Sequence, residues 1–149
     1  MQLTGKHVVN ASPAQVWNIL MDTEALARIV PGISRLEKIS ENKFKSILAI
    51  KMGPVNSEFT GDLEMADIVP RQSFVLKVQQ NSKIGNANAS IGISITEQSP
   101  NQSLVSFDGD VKLSGMLAAM GQRLIGGVSS TLTKQFFSNL EKELKTTVS

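Results

Sequence analysis

The chain has 149 residues, which fits one domain over residues 1–149, and its 41% hydrophobic content supports a core and excludes a disordered chain. The 15 basic and 13 acidic residues leave a formal charge of +2 with no basic cluster, so no nucleic-acid partner is expected. There is no Cys and a single His, His7, which excludes disulfide scaffolds, thiolate metal sites, thiol nucleophiles and His-rich metal cages; no metal and no cofactor is expected.

Residues 2–9 alternate in the manner of a strand. Asn10-Ala11-Ser12-Pro13-Ala14-Gln15 then reads as a helix start: Ser12 caps, Pro13 takes the first helical position and Gln15 completes a capping box. Val16, Trp17, Ile19 and Leu20 give that short helix an apolar face. A second short helix runs from Asp22 or Thr23 to Arg28, and Val30-Pro31-Gly32 stops it. From Ile33 to Leu113 the pattern predicts strands over 33–40, 43–51, 54–68, 72–81, 85–97 and 102–113. The breaks are short, so consecutive strands should pair as antiparallel hairpins. Beyond Gly115, apolar residues recur at three- and four-residue steps through Leu117, Met120, Leu124, Val128, Leu132, Gln135/Phe136, Leu140 and Leu144, with a further apolar edge at Ile125 and Phe137. That predicts one long amphipathic helix over 115–147, with Gly121, Gly126 and Gly127 marking close packing on the sheet or a bend. The fold class is therefore α+β: a curved antiparallel sheet of about seven strands wrapped on a long C-terminal helix, with two short helices after the first strand.

Alternation assigns an inward face to each strand. It carries Val55, Ser57, Phe59, Gly61, Leu63 and Met65; then Phe74, Leu76 and Val78; then Ala87, Ala89, Ile91, Ile93 and Ile95; then Val105, Phe107, Gly109, Val111 and Leu113. Ser57, Gly61, Ala87, Ala89 and Gly109 are small for a face that should fill a core. The missing volume is either a ligand cavity or a consequence of sheet curvature that seats the helix deeper. Phe59, Gly61, Leu63, Phe74, Leu76, Ala89, Ile91, Val105, Phe107 and Gly109 would line such a cavity from the sheet, and Leu117, Met120, Leu124 and Val128 from the helix. Glu58, Glu64, Lys77, Asp108, Asp110 and Lys112 alternate onto the opposite, solvent face. An apolar wall without titratable groups suits a hydrophobic ligand and serves proton transfer badly.

No catalytic residues are assigned: there is no GxSxG, HExxH or P-loop, and no GxGxxG between a strand and a helix. His7 reads as structural. Trp17 reads as a packing residue or a gate. Val30-Pro31-Gly32 reads as a plain helix stop or as a lid at a cavity mouth. Met52-Gly53-Pro54-Val55 is a hairpin tip beside Lys51, fit either for a tight turn or for contact with a lipid surface or a partner protein. No apolar run reaches the roughly 18 residues of a membrane-crossing helix, and the N-terminus shows no basic-then-apolar leader, so the expected location is the cytoplasm.

The element order, with Ala11-Ser12-Pro13-Ala14-Gln15-Val16-Trp17, Val30-Pro31-Gly32, Met52-Gly53-Pro54-Val55, Phe59-Thr60-Gly61, Gly115-Met116-Leu117-Ala118 to Gly121-Gln122-Arg123-Leu124-Ile125, and Phe136-Phe137, resembles the START/Bet v 1-like (SRPBCC) superfamily. More narrowly it is similar to the G-subunit family of carbon monoxide dehydrogenase. That resemblance implies a helix-grip fold with a hydrophobic cavity. It implies a non-catalytic protein that binds a lipid or quinone and serves assembly or membrane recruitment of a carbon monoxide dehydrogenase-like molybdenum hydroxylase, peripherally at the inner face of the membrane. Many members of that family continue into a tail that aids attachment, whereas this sequence ends at Ser149, so attachment is a weaker expectation than the cavity. The alternatives are a protein–protein adaptor with a filled interior, or a small enzyme acting on a hydrophobic substrate.

Overall fold

The computed structural model describes residues 1–147, Thr147 by its backbone alone. In chain order the elements are β1 (Gln2–Val9), α1 (Pro13–Leu20), α2 (Thr23–Ile29), β2 (Ile33–Ser40), β3 (Lys43–Met52), β4 (Val55–Val69), β5 (Ser73–Ser82), β6 (Gly85–Ser99), β7 (Gln102–Leu113), α3 (Met116–Ala119) and α4 (Gln122–Thr147). The seven strands form one antiparallel sheet in the order β1-β7-β6-β5-β4-β3-β2. Each of β2 to β7 pairs with its neighbour in sequence, as short turns dictate. β1 closes the order by pairing with β7, from Gln2 opposite Asp110 to Val9 opposite Ser103.

The start of α1 follows directly from its residues. The Gln15 backbone N–H donates to Ser12 Oγ at 3.3 Å and the Ser12 N–H donates to Gln15 Oε1 at 2.9 Å, which satisfies donors that a helix start leaves unpaired. Asp22 caps α2 by accepting the Glu24 N–H at 3.0 Å. Sheet curvature has a local cause as well. A Cβ on Gly61 would run into the Gln79 carbonyl, and one on Gly109 into the Ser90 carbonyl, so these glycines let neighbouring backbones close up.

The C-terminal helix departs from the expected single element. Gly121 adopts φ +88°, far from helical values, and separates α3 from α4. The break resets the helical phase. Ile125 is buried, while Leu124, expected on the apolar stripe, is 37% exposed. Gly126 and Gly127 do not pack tightly on the sheet: a Cβ on either would meet nothing within 4 Å. Of the two expected explanations for the helix glycines, the bend holds at Gly121, and close packing at Gly126 and Gly127 does not.

Buried side chains fall into two groups. A larger core joins α1, α2 and the C-terminal half of α4 to one end of the sheet through Val16, Trp17, Ile19, Ile29, Phe74, Ile95, Val105, Phe137, Leu140 and Leu144. A smaller one gathers Val55, Phe59, Leu117 and Ile125 at the other end.

Candidate functional site

Between the two cores lies the middle of the inward sheet face. Val78, Ala87, Ala89, Ile91, Gly109 and Val111 belong to neither core and are half-buried. Ala87 and Ala89 carry little side chain on this face, whereas at Gly109 the neighbouring strand leaves no room for a Cβ. Alternation marks the same small residues.

Two openings flank the N-terminal half of α4. On one side a cleft of about 860 Å³ separates β1 from the helix; Leu3, Gly5, His7 and Phe107 face Gln122, Gly126, Ser129, Thr133 and Phe137 across it. At one end of this cleft the His7 ring stacks on Phe137, centroids 4.3 Å apart and planes at 14°. On the other side a groove of about 650 Å³ runs between the β3–β4 tip, Met52-Gly53-Pro54, and Met120, Arg123, Leu124, Gly127, Val128 and Thr131. The volume is of a size that accepts a small molecule.

The electrostatics are simple. Glu58, Lys77, Asp108, Asp110 and Lys112 are exposed, and Glu64 is half-buried. The buried polar pair is neutral: Gln80 Nε2 donates to Ser46 Oγ at 3.1 Å, with both residues nearly inaccessible. Residue-by-residue reasoning missed this pair. Alternation from Phe44 and from Val78 could have found it, because each lies two residues along the same inward face. Among the described residues no cluster of three or more His, Asp or Glu could hold a metal ion.

The expected site residues are only partly gathered. Ala89, Ile91 and Gly109 share the half-buried middle face. Leu63, Leu76 and Phe107 are half-buried against the larger core, where Phe74 and Val105 are fully buried. Phe59 and Leu117 are buried in the smaller core, with Met120 and Val128 packed on it. Gly61 sits in the sheet bend. Val55 is buried behind the exposed Gly53 and Pro54. Trp17 is buried and meets Phe74 edge-on at 5.9 Å. Gly32 lies beside β3, its carbonyl accepting the Ala49 N–H at 2.8 Å. Neither opening is lined by Trp17, Val30, Pro31 or Gly32.

The sequence profile of the carbon monoxide dehydrogenase G-subunit, CoxG, matches residues 5–145. The chain belongs to the CoxG family. No curated protein sequence matches it. Among solved structures, a conserved protein from Geobacillus kaustophilus is 29% identical, covers 98% of this chain and 96% of its own, and superposes with a TM-score of 0.95. A START superfamily protein from Mycobacterium smegmatis has a TM-score of 0.79 at 13% identity, covering 97% of each chain. The aromatase/cyclase ZhuI from Streptomyces sp. R1128 has a TM-score of 0.75 at 12% identity, covering 100% of this chain and 96% of its own. These two distant structures establish the START-like, helix-grip fold. Family and fold together point to a ligand-binding or accessory role. No helix among the described residues is long and apolar enough to cross a membrane.

Proposed function

We propose that this CoxG family member is a non-catalytic carrier of a hydrophobic small molecule, a lipid or a quinone, serving assembly or membrane recruitment of a carbon monoxide dehydrogenase-like molybdenum hydroxylase. The reading rests on the neutral middle of the sheet, half-buried and outside both cores, together with the cleft and groove that flank the N-terminal half of α4. An apolar body would gain roughly 25 cal/mol for each Å² it removes from water there. An enzymatic alternative has a distant neighbour in its favour, but the one His on the inward face, His7, is stacked on Phe137 at the end of the cleft, and the middle of that face carries no acid or base for proton transfer.

The second half of the reading is a peripheral contact with the membrane through the Met52-Gly53-Pro54-Val55 tip. Leu124, 37% exposed, lines the same groove as the tip, and Met116 of α3 is 60% exposed. Lys51, Lys83 and Arg123 lie in the segments that build this end, and no Asp or Glu occurs between Asp110 and Glu141. Apolar tips among lysines and arginines suit an anionic lipid surface. Isothermal titration with a short-tailed quinone and with a fatty acid tests the carrier role. Saturable one-to-one binding of at least one is expected; absence of binding by both, with the fold intact, would move the protein to the adaptor reading.

A further inference from the structure

We propose that the open edge of β1 receives an extended, acidic segment of a partner protein, which adds a strand to the sheet inside the cleft beside α4. β1 ends the strand order, so one of its edges has no strand partner. The register shows which groups that edge presents. The Met1 ammonium donates to the Val111 carbonyl at 2.9 Å, and the Val111 N–H donates back to the Met1 carbonyl at 2.8 Å. Met1 and Val111 are therefore a hydrogen-bonded pair, and antiparallel alternation continues that pattern through Leu3, Gly5 and His7. The N–H and C=O groups of Gln2, Thr4, Lys6 and Val8 consequently point outward. They form a ladder of about 20 Å at 3.4 Å per residue, long enough for an extended peptide.

The cleft of about 860 Å³ follows this ladder: consecutive residues from Met1 to His7 line it, as they would along a strand edge rather than a single face. The helix wall opposite presents the Ser129, Ser130 and Thr133 side chains, and Gly126 adds no side chain. The charge of the cleft selects the occupant. Lys6 and Lys134 line it and make no ion pair among the described residues, whereas its carboxylate, Asp110, sits 3.3 Å from the Met1 ammonium. A second copy of β1 would bring a second Lys6 to the same edge, so like charges oppose self-pairing. A partner strand carrying Glu or Asp meets no such penalty. This proposal is independent of what occupies the space under the helix.

Amide hydrogen exchange of the full chain by NMR tests it, with the acetylated, amidated peptide (Glu-Val)4 as probe and (Lys-Val)4 as control. The expected result is at least tenfold slower exchange at Gln2, Thr4, Lys6 and Val8 with the acidic peptide and no change with the basic one. Thr4→Pro removes an outward donor without touching a bond to β7, and should abolish the protection with an unchanged melting temperature. Lys134→Glu, which leaves β1 intact, should weaken peptide binding at least tenfold. Unchanged exchange at the four amides, equal protection by both peptides, or protection that grows with protein concentration alone would each overturn the proposal.

Discussion

The two halves of α4 live in different surroundings. Its C-terminal half is locked: Phe137, Leu140 and Leu144 are buried among α1, α2 and the sheet, Asn139 Nδ2 donates to the Ile29 carbonyl at 3.1 Å, and Arg28 grips Glu143 through two nitrogens at 2.6 and 3.1 Å. Its N-terminal half is set off by the Gly121 break, has open space at Gly126 and Gly127, and is bordered by a cleft and a groove. One helix thus both closes a core and borders open space. Core packing and the two openings fall to different turns of the same element.

Deletions should reveal that division. Leu140 is fully buried, so Leu140→Ala should cost about 2–5 kcal/mol in urea denaturation. Leu124→Ala, sixteen residues earlier on the same helix, should stay within about 0.5 kcal/mol, because Leu124 is 37% exposed. Equal losses at the two positions would erase the distinction. A smaller effect of opposite sign belongs to the open half. Gly127→Ala meets no atom and has no positive φ, so it should stabilise by about 0.5–1 kcal/mol through lower unfolded-state entropy and better helix propensity.

The smallest effect concerns the Arg28–Glu143 pair, whose arginine is largely exposed. The hydrogen bonds from Arg28 hold the Glu143 carboxyl below its ordinary value, outweighing the opposing effect of burial. A depressed folded-state value contributes stability above the unfolded carboxylate pKa, and loses it as pH falls through the lower folded value. Arg28→Ala should therefore lower the melting temperature slightly at pH 7. The variant and the parent should converge in acid. A gap that persists below the carboxylate range would mean that the arginine acts through packing of its alkyl stem.

Much of this division was legible in the residues. Ser12, Pro13 and Gln15 fix the start of α1 by local chemistry, and strand alternation correctly turns Glu58, Lys77 and Asp108 outward, because both signals act over a few residues. The break at Gly121 was not separable from a tolerated helix glycine, since its left-handed φ depends on how α3 docks: the Leu117 N–H donates to the Ile84 carbonyl at 3.0 Å in a distant turn. The same docking put Ile125 rather than Leu124 inward. Small residues announced spare volume, yet at Gly61 and Gly109 the neighbouring backbone takes it up while Ala87 and Ala89 stay half-buried outside both cores, and that difference lies in inter-strand distances. The placement of Trp17 and Gly32 away from both openings likewise depends on long-range packing.

The central claim is that the half-buried middle of the sheet holds a hydrophobic ligand. Native mass spectrometry of the purified protein, followed by organic extraction, tests it most directly when run beside Ala89→Leu, which fills that face while leaving both cores in place. The account predicts a co-purifying lipid or quinone in the parent and its loss from a folded variant. A ligand-free parent that also fails to take up a lipid and quinone panel, or a ligand retained undiminished in Ala89→Leu, would contradict it.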